Sequence, residues 1–200
     1  ALHRALEKPP ASLGSGASAA TLLPADFDQD RPVDRASFKA GLEAVTEGRI
    51  DDAMEVLSDR LWGFVNETDA KGRTMLHHAA LRGKAELCTA ILARGDFRTA
   101  DACDKNRTTA LHLAVAHRHV ECCQVLLASE RFSAVNAGDM ADRTALHLAA
   151  LRTDVECYEA ILADARCNSA LPDCHGKSAP EYALERDMDA QVPLVIADEI

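Results

Sequence analysis

Short apolar segments alternate with polar turns along most of this chain, and the alternation is periodic. The hexapeptide TALHLA fills residues 109–114 and returns unchanged at residues 144–149. In both places a second apolar segment, CCQVLL or CYEAIL, follows after about seven residues, and its apolar positions recur with the spacing of one helix face. The pattern therefore predicts a repeated unit of helix, turn and helix, followed by a longer connection.

An aspartate marks the start of each predicted unit. Residues 69–77, 104–112 and 139–147 align with one another at a spacing of 35 residues, and Asp173 opens a fourth copy 34 residues later. A fixed period in this range is typical of stacked repeat proteins. A threonine or serine precedes each first helix, where a helix N-cap is predicted, at Thr74, Thr109, Thr144 and Ser178.

The aligned copies follow the pattern D-x-x-G-x-T-x-L-H-x-A-A with a few departures, and a second helix that ends in two aliphatic residues comes after it. This motif resembles the ankyrin repeat. Met75, Ala110 and Ala145 stand where the family has proline, and Arg107 and Asp142 stand where its turn usually has glycine. If that turn needs a left-handed backbone, Arg107 is expected to be strained and Asp142 less so.

A divergent first unit is predicted before these copies. Phe97 and Phe132 align in the long connection, and the same step leads back to Trp62. The resemblance and the spacing together predict an all-α solenoid of about five helix–turn–helix units with hairpin-like turn tips, at residues 37–68, 69–103, 104–138, 139–172 and 173–200. Pro193 is expected to break the second helix of the last unit.

The first 36 residues differ from the repeats in composition. Residues 1–36 hold PP, GSG and runs of Ala and Ser, which predict an extended or flexible N-terminal arm. We expect this arm to pack on a partner. The chain begins with Ala1, which favours a fragment or a processed chain.

Composition and cysteine usage limit the classes of partner and the cell compartments that are expected for this protein. The formal net charge is −10, so binding of nucleic acid through the overall field of the molecule is not expected. The seven cysteines lack the spacing of a secreted disulfide framework, which favours an intracellular, reducing compartment: the cytoplasm or an organelle matrix, the mitochondrion included. No run of 18 apolar residues occurs, so no membrane insertion is predicted.

Three histidines recur in the same frame of the repeat, at His77, His112 and His147. One active site does not need three copies, and the resemblance implies that these side chains bond backbone groups between neighbouring units. The sequence has no Ser-His-Asp spacing, phosphate loop or glycine fingerprint, so we predict no catalytic residue and no cofactor.

The segment HRHVECC at residues 117–123 is the best candidate for a metal site, because it holds two histidines and two cysteines, which are common zinc ligands. The repeat frame instead places Cys122 and Cys123 in the core of a second helix, where free cysteine behaves as a small hydrophobe. We therefore predict no metal, and a zinc site at His117, His119 and Cys122 is the alternative.

The resemblance implies a concave binding face, lined by the turn tips and by the exposed side of each first helix. In this sequence those positions are mostly basic, whereas Glu86, Glu121 and Glu156 recur in the second helices. The residues predicted to contact a partner are Lys71, Arg73, Leu81, Arg82, Lys105, Arg107, His117, Met140, Arg143, Leu151, Arg152, His175 and Lys177.

These features predict a non-catalytic protein–protein interaction module or scaffold, an accessory subunit of a larger assembly. Its basic concave face is expected to bind an acidic partner surface. The acidic stretch DFDQDRPVD of the arm leaves a second possibility open, that the arm folds back on this face and competes with the partner. From another functional class, the alternatives are a recruiting domain excised from a larger enzyme and a zinc-binding protein.

Overall fold

Short helices in pairs make up the regular structure. The computed structural model of the chain describes residues 41–45, 47, 49–58 and 63–186. Its α-helices are α1 (Ile50–Ser58), α2 (Met75–Leu81), α3 (Ala85–Ala93), α4 (Ala110–Ala116), α5 (Val120–Ala128), α6 (Ala145–Leu151), α7 (Val155–Leu162) and α8 (Ala179–Glu185), and residues 41–45 are also helical. Two 3₁₀ turns, Gly63–Asn66 and Ala134–Asn136, lie in the long connections. The predicted N-terminal arm, Trp62 and Pro193 lie outside the described residues.

In the stack of units, first helices pack against first helices and second helices against second helices. The first helices α2, α4, α6 and α8 pack in sequence, and the second helices α1, α3, α5 and α7 do the same. Leu76, Leu111 and Leu146 occupy the same position in successive first helices and are at most 2 % exposed. The predicted stack of helix–turn–helix units is confirmed for the described residues, and each apolar face is covered by its neighbours.

The first helices α2, α4, α6 and α8 begin at the N-cap threonines and serine that the sequence predicted, and each N-cap forms a capping box. The Thr109 side chain accepts a hydrogen bond from the backbone N–H of His112, and the Thr109 N–H donates to Nδ1 of the same histidine at 3.2 Å. Thr74 and Thr144 form the same box. The last unit uses Ser178, with a glutamate in place of the histidine.

The turn tips are built on the aspartate that opens each unit. Asp104 Oδ1 accepts hydrogen bonds from two backbone N–H groups, that of Asn106 at 2.8 Å and that of Thr108 at 3.0 Å. The other opening aspartates do the same. The fourth residue of each tip has a positive φ, namely 76° at Gly72, 58° at Arg107, 54° at Asp142 and 75° at Gly176. The left-handed backbone expected at the two non-glycine positions is confirmed.

The long connections join neighbouring units through a repeated side-chain amide or carboxylate. Asn136 donates from Nδ2 to the carbonyl of Arg166 at 2.7 Å and accepts at Oδ1 from the N–H of Asn168 at 2.8 Å. Asn66 and Asp101 stand in the same register. Asn66 accepts one backbone N–H group of the following unit and Asp101 accepts two. The connection is therefore ordered by bonds across the unit boundary.

Arginines in the same connections reach back across the boundary. Arg131 donates from Nη1 to the carbonyls of Arg94 at 2.8 Å and Phe97 at 3.0 Å. Arg166 donates to the carbonyl of Phe132 at 2.6 Å. Both phenylalanines are buried beneath these contacts. The aligned phenylalanines thus anchor the connections in the core, and the arginines hydrogen-bond to backbone carbonyls on the outer side of the connections.

Candidate protein-interaction surface

The repeated histidines hold neighbouring units together and so fix the spacing of the turn tips. His112 donates from Nε2 to the carbonyl of Arg143 in the next unit at 3.0 Å, while its Nδ1 accepts from the backbone of Thr109. His77 and His147 make equivalent contacts. The prediction that these histidines bond backbone groups of the neighbouring unit is confirmed.

The protonation state of these rings follows from their surroundings. Burial lowers the pKa of His77 and of His112, and the carbonyl acceptor on Nε2 offsets only part of this effect. A neutral ring also suits the contacts, because Nδ1 must accept a hydrogen bond while Nε2 donates one. Both ring nitrogens are engaged, so these side chains serve the structure of the repeat.

The tips of the units form a ridge whose backbone is linked at two boundaries. The N–H of Lys105 donates to the carbonyl of Lys71 at 3.0 Å, and the N–H of Cys174 donates to the carbonyl of Ala141 at 2.9 Å. The side chains of Lys71 and Lys105 are exposed, and within the described residues neither forms an ion pair. Both ammonium groups therefore face solvent on the ridge.

Two arginines predicted to contact a partner form ion pairs with aspartates of the protein itself. Arg73 Nε lies 3.3 Å from Asp104 Oδ2, and the two side chains are 18 % and 1 % exposed. Arg143 Nη2 lies 2.7 Å from Asp139 Oδ2. Burial of Asp139 raises its pKa, but hydrogen bonds from the Arg143 side chain and from backbone N–H groups outweigh this and lower it. These arginines stabilise the tips, and their charge is balanced locally.

Two further predicted cations form exposed ion pairs on the ridge. Arg107 Nη1 lies 3.1 Å from Asp142 Oδ1, with both side chains 59 % exposed. Lys177 Nζ lies 2.5 Å from Glu185 Oε1, and His175 is exposed on the same tip. Exposed pairs of this kind contribute little to stability, but each places an anion beside its cation and weakens the local positive potential.

The C-terminal ends of three first helices carry exposed basic side chains. Arg82, His117 and Arg152 are the C-cap residues of α2, α4 and α6, and all three are exposed. Burial lowers the pKa of the His117 imidazole, and the neighbouring His119 ring and the positive charges of Arg152, Arg73 and Arg82 add to this effect. The arginines around His117 therefore disfavour protonation of its ring.

One cation of this region was missed by the sequence analysis. Arg118 follows His117 directly and is exposed, and its Nη2 donates to the carbonyl of Arg152 at 2.7 Å. Its backbone is left-handed, with a φ of 59°, at the position that Gly83 fills in the preceding unit. The alignment of Arg118 with Gly83 could have identified it from the sequence, because it places Arg118 at a surface turn.

Apolar side chains lie among these charges. Leu81 and Leu151 are the last residues of α2 and α6 and are half-buried, whereas Met140 at the tip of the fourth unit is 70 % exposed. The opposite charge is placed elsewhere: Glu86, Glu121 and Glu156 are exposed in the first turns of the second helices. In the second, third and fourth units, exposed basic side chains therefore lie at the end of the first helix and exposed glutamates lie in the first turn of the second helix.

The side chains of the zinc alternative do not converge. Cys122 is buried, and its thiol interacts with that of Cys88. The His119 ring packs on Gly83, where an added Cβ would lie 2.6 Å from Nδ1. The rings of His117 and His119 are stacked with centroids 6.0 Å apart. No group of three His, Cys, Asp or Glu side chains in the part of the chain that the structure describes is arranged to hold a metal ion.

Comparison with known proteins agrees with the repeat geometry. A family model of ankyrin repeats, in three copies, matches residues 42–139. The same capped helices and aspartate turns continue past that match to α8. No curated protein matches the chain. Among the described helices, none has the length and apolar character needed to cross a membrane.

Proposed function

The chain is an ankyrin repeat protein, and from that premise we propose that it binds a protein with an acidic surface. The contacts are made by those cations of the tips and first-helix ends that form no ion pair with another described residue. Ankyrin repeats are in general modules of protein–protein interaction and are typically non-catalytic. We define the basic surface of this protein as Lys71, Arg82, Lys105, His117 and Arg152.

The observation that carries the proposal is the division of the cations into paired and unpaired groups. Arg73, Arg107, Arg143 and Lys177 each have a carboxylate partner within the protein. Across the described residues, the four permanent cations of the basic surface form no ion pair. Unbalanced charges on a rigid scaffold attract an anionic partner and orient its approach.

The apolar residues beside these cations define the partner further. Leu81 and Leu151 directly precede Arg82 and Arg152, and Met140 projects from the ridge. Binding energy at such interfaces is concentrated in a few desolvated apolar or aromatic contacts, while charges set register and rate. The partner that fits this surface carries aspartate or glutamate side chains around at least one apolar side chain.

The decisive experiment reverses charge on the basic surface. We compare the wild-type chain, Arg82→Glu/Arg152→Glu, and the control Arg98→Glu, whose exposed arginine lies in a long connection outside the surface. Partners captured from the source by the wild type are identified, and the purified partner is titrated against all three chains at low and high salt. The double reversal is expected to weaken binding at least about tenfold and to reduce its salt dependence, because rim charges act through screened Coulomb forces.

Two outcomes count against the proposal. Equal affinity of the wild type and the double reversal would remove the basic surface from the interface. An equal loss in the Arg98→Glu control would show that net charge matters and the location of the charge does not. Circular dichroism of each variant confirms that the repeats remain folded.

We also propose that the chain is an accessory subunit of a larger assembly. The native mass of the protein isolated from its source tests this role. A stoichiometric complex that persists through purification supports it, whereas a mass of one chain assigns the protein to transient binding. Isolation of a longer polypeptide with its own catalytic domain would support the alternative of a recruiting domain.

A further inference from the structure

Two cysteines of successive second helices meet in the core. Cys123 lies on α5 and Cys157 on α7, and their sulfur atoms are 3.7 Å apart. Both side chains are fully buried. One unit earlier, the buried thiols of Cys88 and Cys122 also interact, and each shifts the pKa of the other. In both cases the fourth residue of one second helix meets the third residue of the next.

The repeat explains why this contact recurs. Stacking of identical units brings the same helix positions together at every boundary, so a thiol at the fourth position always faces the third position of the next unit. This chain has cysteine at both positions at two consecutive boundaries. The sulfurs of Cys123 and Cys157 are already in contact, and a disulfide bond requires about 2.05 Å between them.

We propose that Cys123 and Cys157 are a covalent modification site, at which a low-molecular-weight disulfide such as oxidised glutathione joins the third and fourth units by an intramolecular disulfide bond. The bond closes residues 123–157 into a loop, which contains Met140 and Arg152 of the proposed binding surface. Cross-linking restricts the unfolded chain and so stabilises this pair of units against separation.

The exchange proceeds in two balanced steps. The thiolate of one cysteine attacks a sulfur of the small disulfide, whose S–S bond breaks, and one thiol leaves. The thiolate of the second cysteine then attacks the protein sulfur of the mixed disulfide, so that the protein S–S bond forms and a second thiol leaves. Two electrons and two protons pass from the cysteine pair to the small disulfide.

Burial controls when this reaction occurs. The hydrogen bond with Cys123, burial and the carboxylate of Asp154 all raise the pKa of the Cys157 thiol. A buried, protonated thiol is a poor nucleophile, so the folded stack resists exchange. Partial separation of the third and fourth units exposes both sulfurs together, and formation of the bond then prevents a further separation.

The test uses a chain in which only this pair remains, with Cys103, Cys167 and Cys174 changed to Ser and Cys88 and Cys122 changed to Ala. The protein is incubated with oxidised glutathione in buffer and in urea below the unfolding transition. We expect an intact mass lower by about 2 Da, a peptide map that links residues 123 and 157, and faster formation in urea. The midpoint of urea unfolding is expected to rise by about 1 M, and dithiothreitol reverses the shift.

The matched control adds Cys157→Ala to the same chain, and it is expected to yield only a glutathione adduct at Cys123. If the five background changes prevent folding, the same map is made on a chain that keeps Cys88 and Cys122. Mixed disulfides or intermolecular dimers in place of the 123–157 link, under conditions that open the units, would overturn the proposal. A link without any rise in the unfolding midpoint would overturn its stabilising role.

Discussion

At the residue scale, Thr153 is the one β-branched residue with a positive φ in the part of the chain that the structure describes. Its φ is 52°, a left-handed conformation that β-branched residues rarely adopt. The equivalent positions hold Gly83 with a φ of 68° and Arg118 with a φ of 59°. The turn between the two helices of a unit therefore imposes this conformation whatever residue occupies it.

Replacing Thr153 by glycine is expected to stabilise the protein. A left-handed residue with a Cβ costs about 1–2 kcal/mol, and the greater freedom of glycine in the unfolded chain offsets part of the gain. We expect Thr153→Gly to raise the free energy of unfolding by about 0.5–1 kcal/mol, measured by urea denaturation. Thr153→Ala keeps the Cβ and should give no gain. An equal gain in both variants would show that backbone strain is not the cause.

The buried histidines predict how stability depends on pH. Because burial lowers the pKa of His77 and His112 below the ordinary value of 6.5, the unfolded chain binds protons more readily than the folded chain. Their contribution to stability is complete above about pH 6.5 and is lost as the pH falls towards the folded pKa. The free energy of unfolding should therefore be lower at about pH 5.5 than at about pH 7.5.

His112→Ala tests this origin of the pH dependence. The variant is expected to lose about 2–4 kcal/mol of stability at about pH 7.5, because the carbonyl of Arg143 and the N–H of Thr109 lose their buried partner. The further loss on acidification should become smaller, while His77 still titrates in the same range. An undiminished pH dependence in the variant would assign the effect to other groups.

At the element scale, no helix of the repeat is stable on its own. The first helices α2, α4 and α6 have seven residues each, fewer than an isolated helix needs in water. Their apolar faces are covered only by the neighbouring units. Helix formation and stacking are consequently one process, and a defect in one core position affects both neighbours.

Leu111→Ala measures this coupling. Leu111 is fully buried in α4, between the first helices of the second and fourth units. The substitution should lower the free energy of unfolding by about 2–5 kcal/mol through lost burial and a residual cavity. Met140→Ala, at an apolar residue that is 70 % exposed, is the control and should change stability by less than about 0.5 kcal/mol. An unchanged thermal melt for Leu111→Ala would contradict the repeat frame.

At the scale of the whole molecule, hydrogen bonds in the long connections set the register between neighbouring units. Asn136 supplies both a donor and an acceptor across one boundary, whereas Asp101 serves an equivalent boundary with acceptors alone. The register can therefore be held with a carboxylate in place of the amide. The arginines of the connections, which cover the buried phenylalanines, add further bonds across the boundary. These contacts together fix the rotation of each unit relative to the next.

Asn136→Asp is expected to be milder than Asn136→Ala. The alanine variant loses both bonds across the boundary and should destabilise the protein by about 1–2 kcal/mol, while the aspartate variant keeps the acceptor for the N–H of Asn168 and should lose about half as much. Thermal melts of both variants measure the difference. Equal destabilisation would show that the donor bond to Arg166 is the one that matters.

The sequence by itself determined the period, the fold class, the helix caps and the structural use of the histidines. These features depend on contacts within about one unit, and the stack repeats them, so aligned residues report them directly. Arg107 and Asp142 show the limit of this local information: the alignment with glycine predicted their left-handed backbone, but it did not reveal that their side chains pair with each other.

Tertiary structure alone decided which of the basic residues keep an unbalanced charge. Arg73 and Arg82 both lie near a turn, where an arginine side chain is expected to be exposed. Arg73 nevertheless forms an ion pair with Asp104, which lies 31 residues away in the sequence. The meeting of Cys123 with Cys157 has the same origin. Which side chains touch across a unit boundary depends on the rotation and offset between units, and these follow from packing along the whole stack.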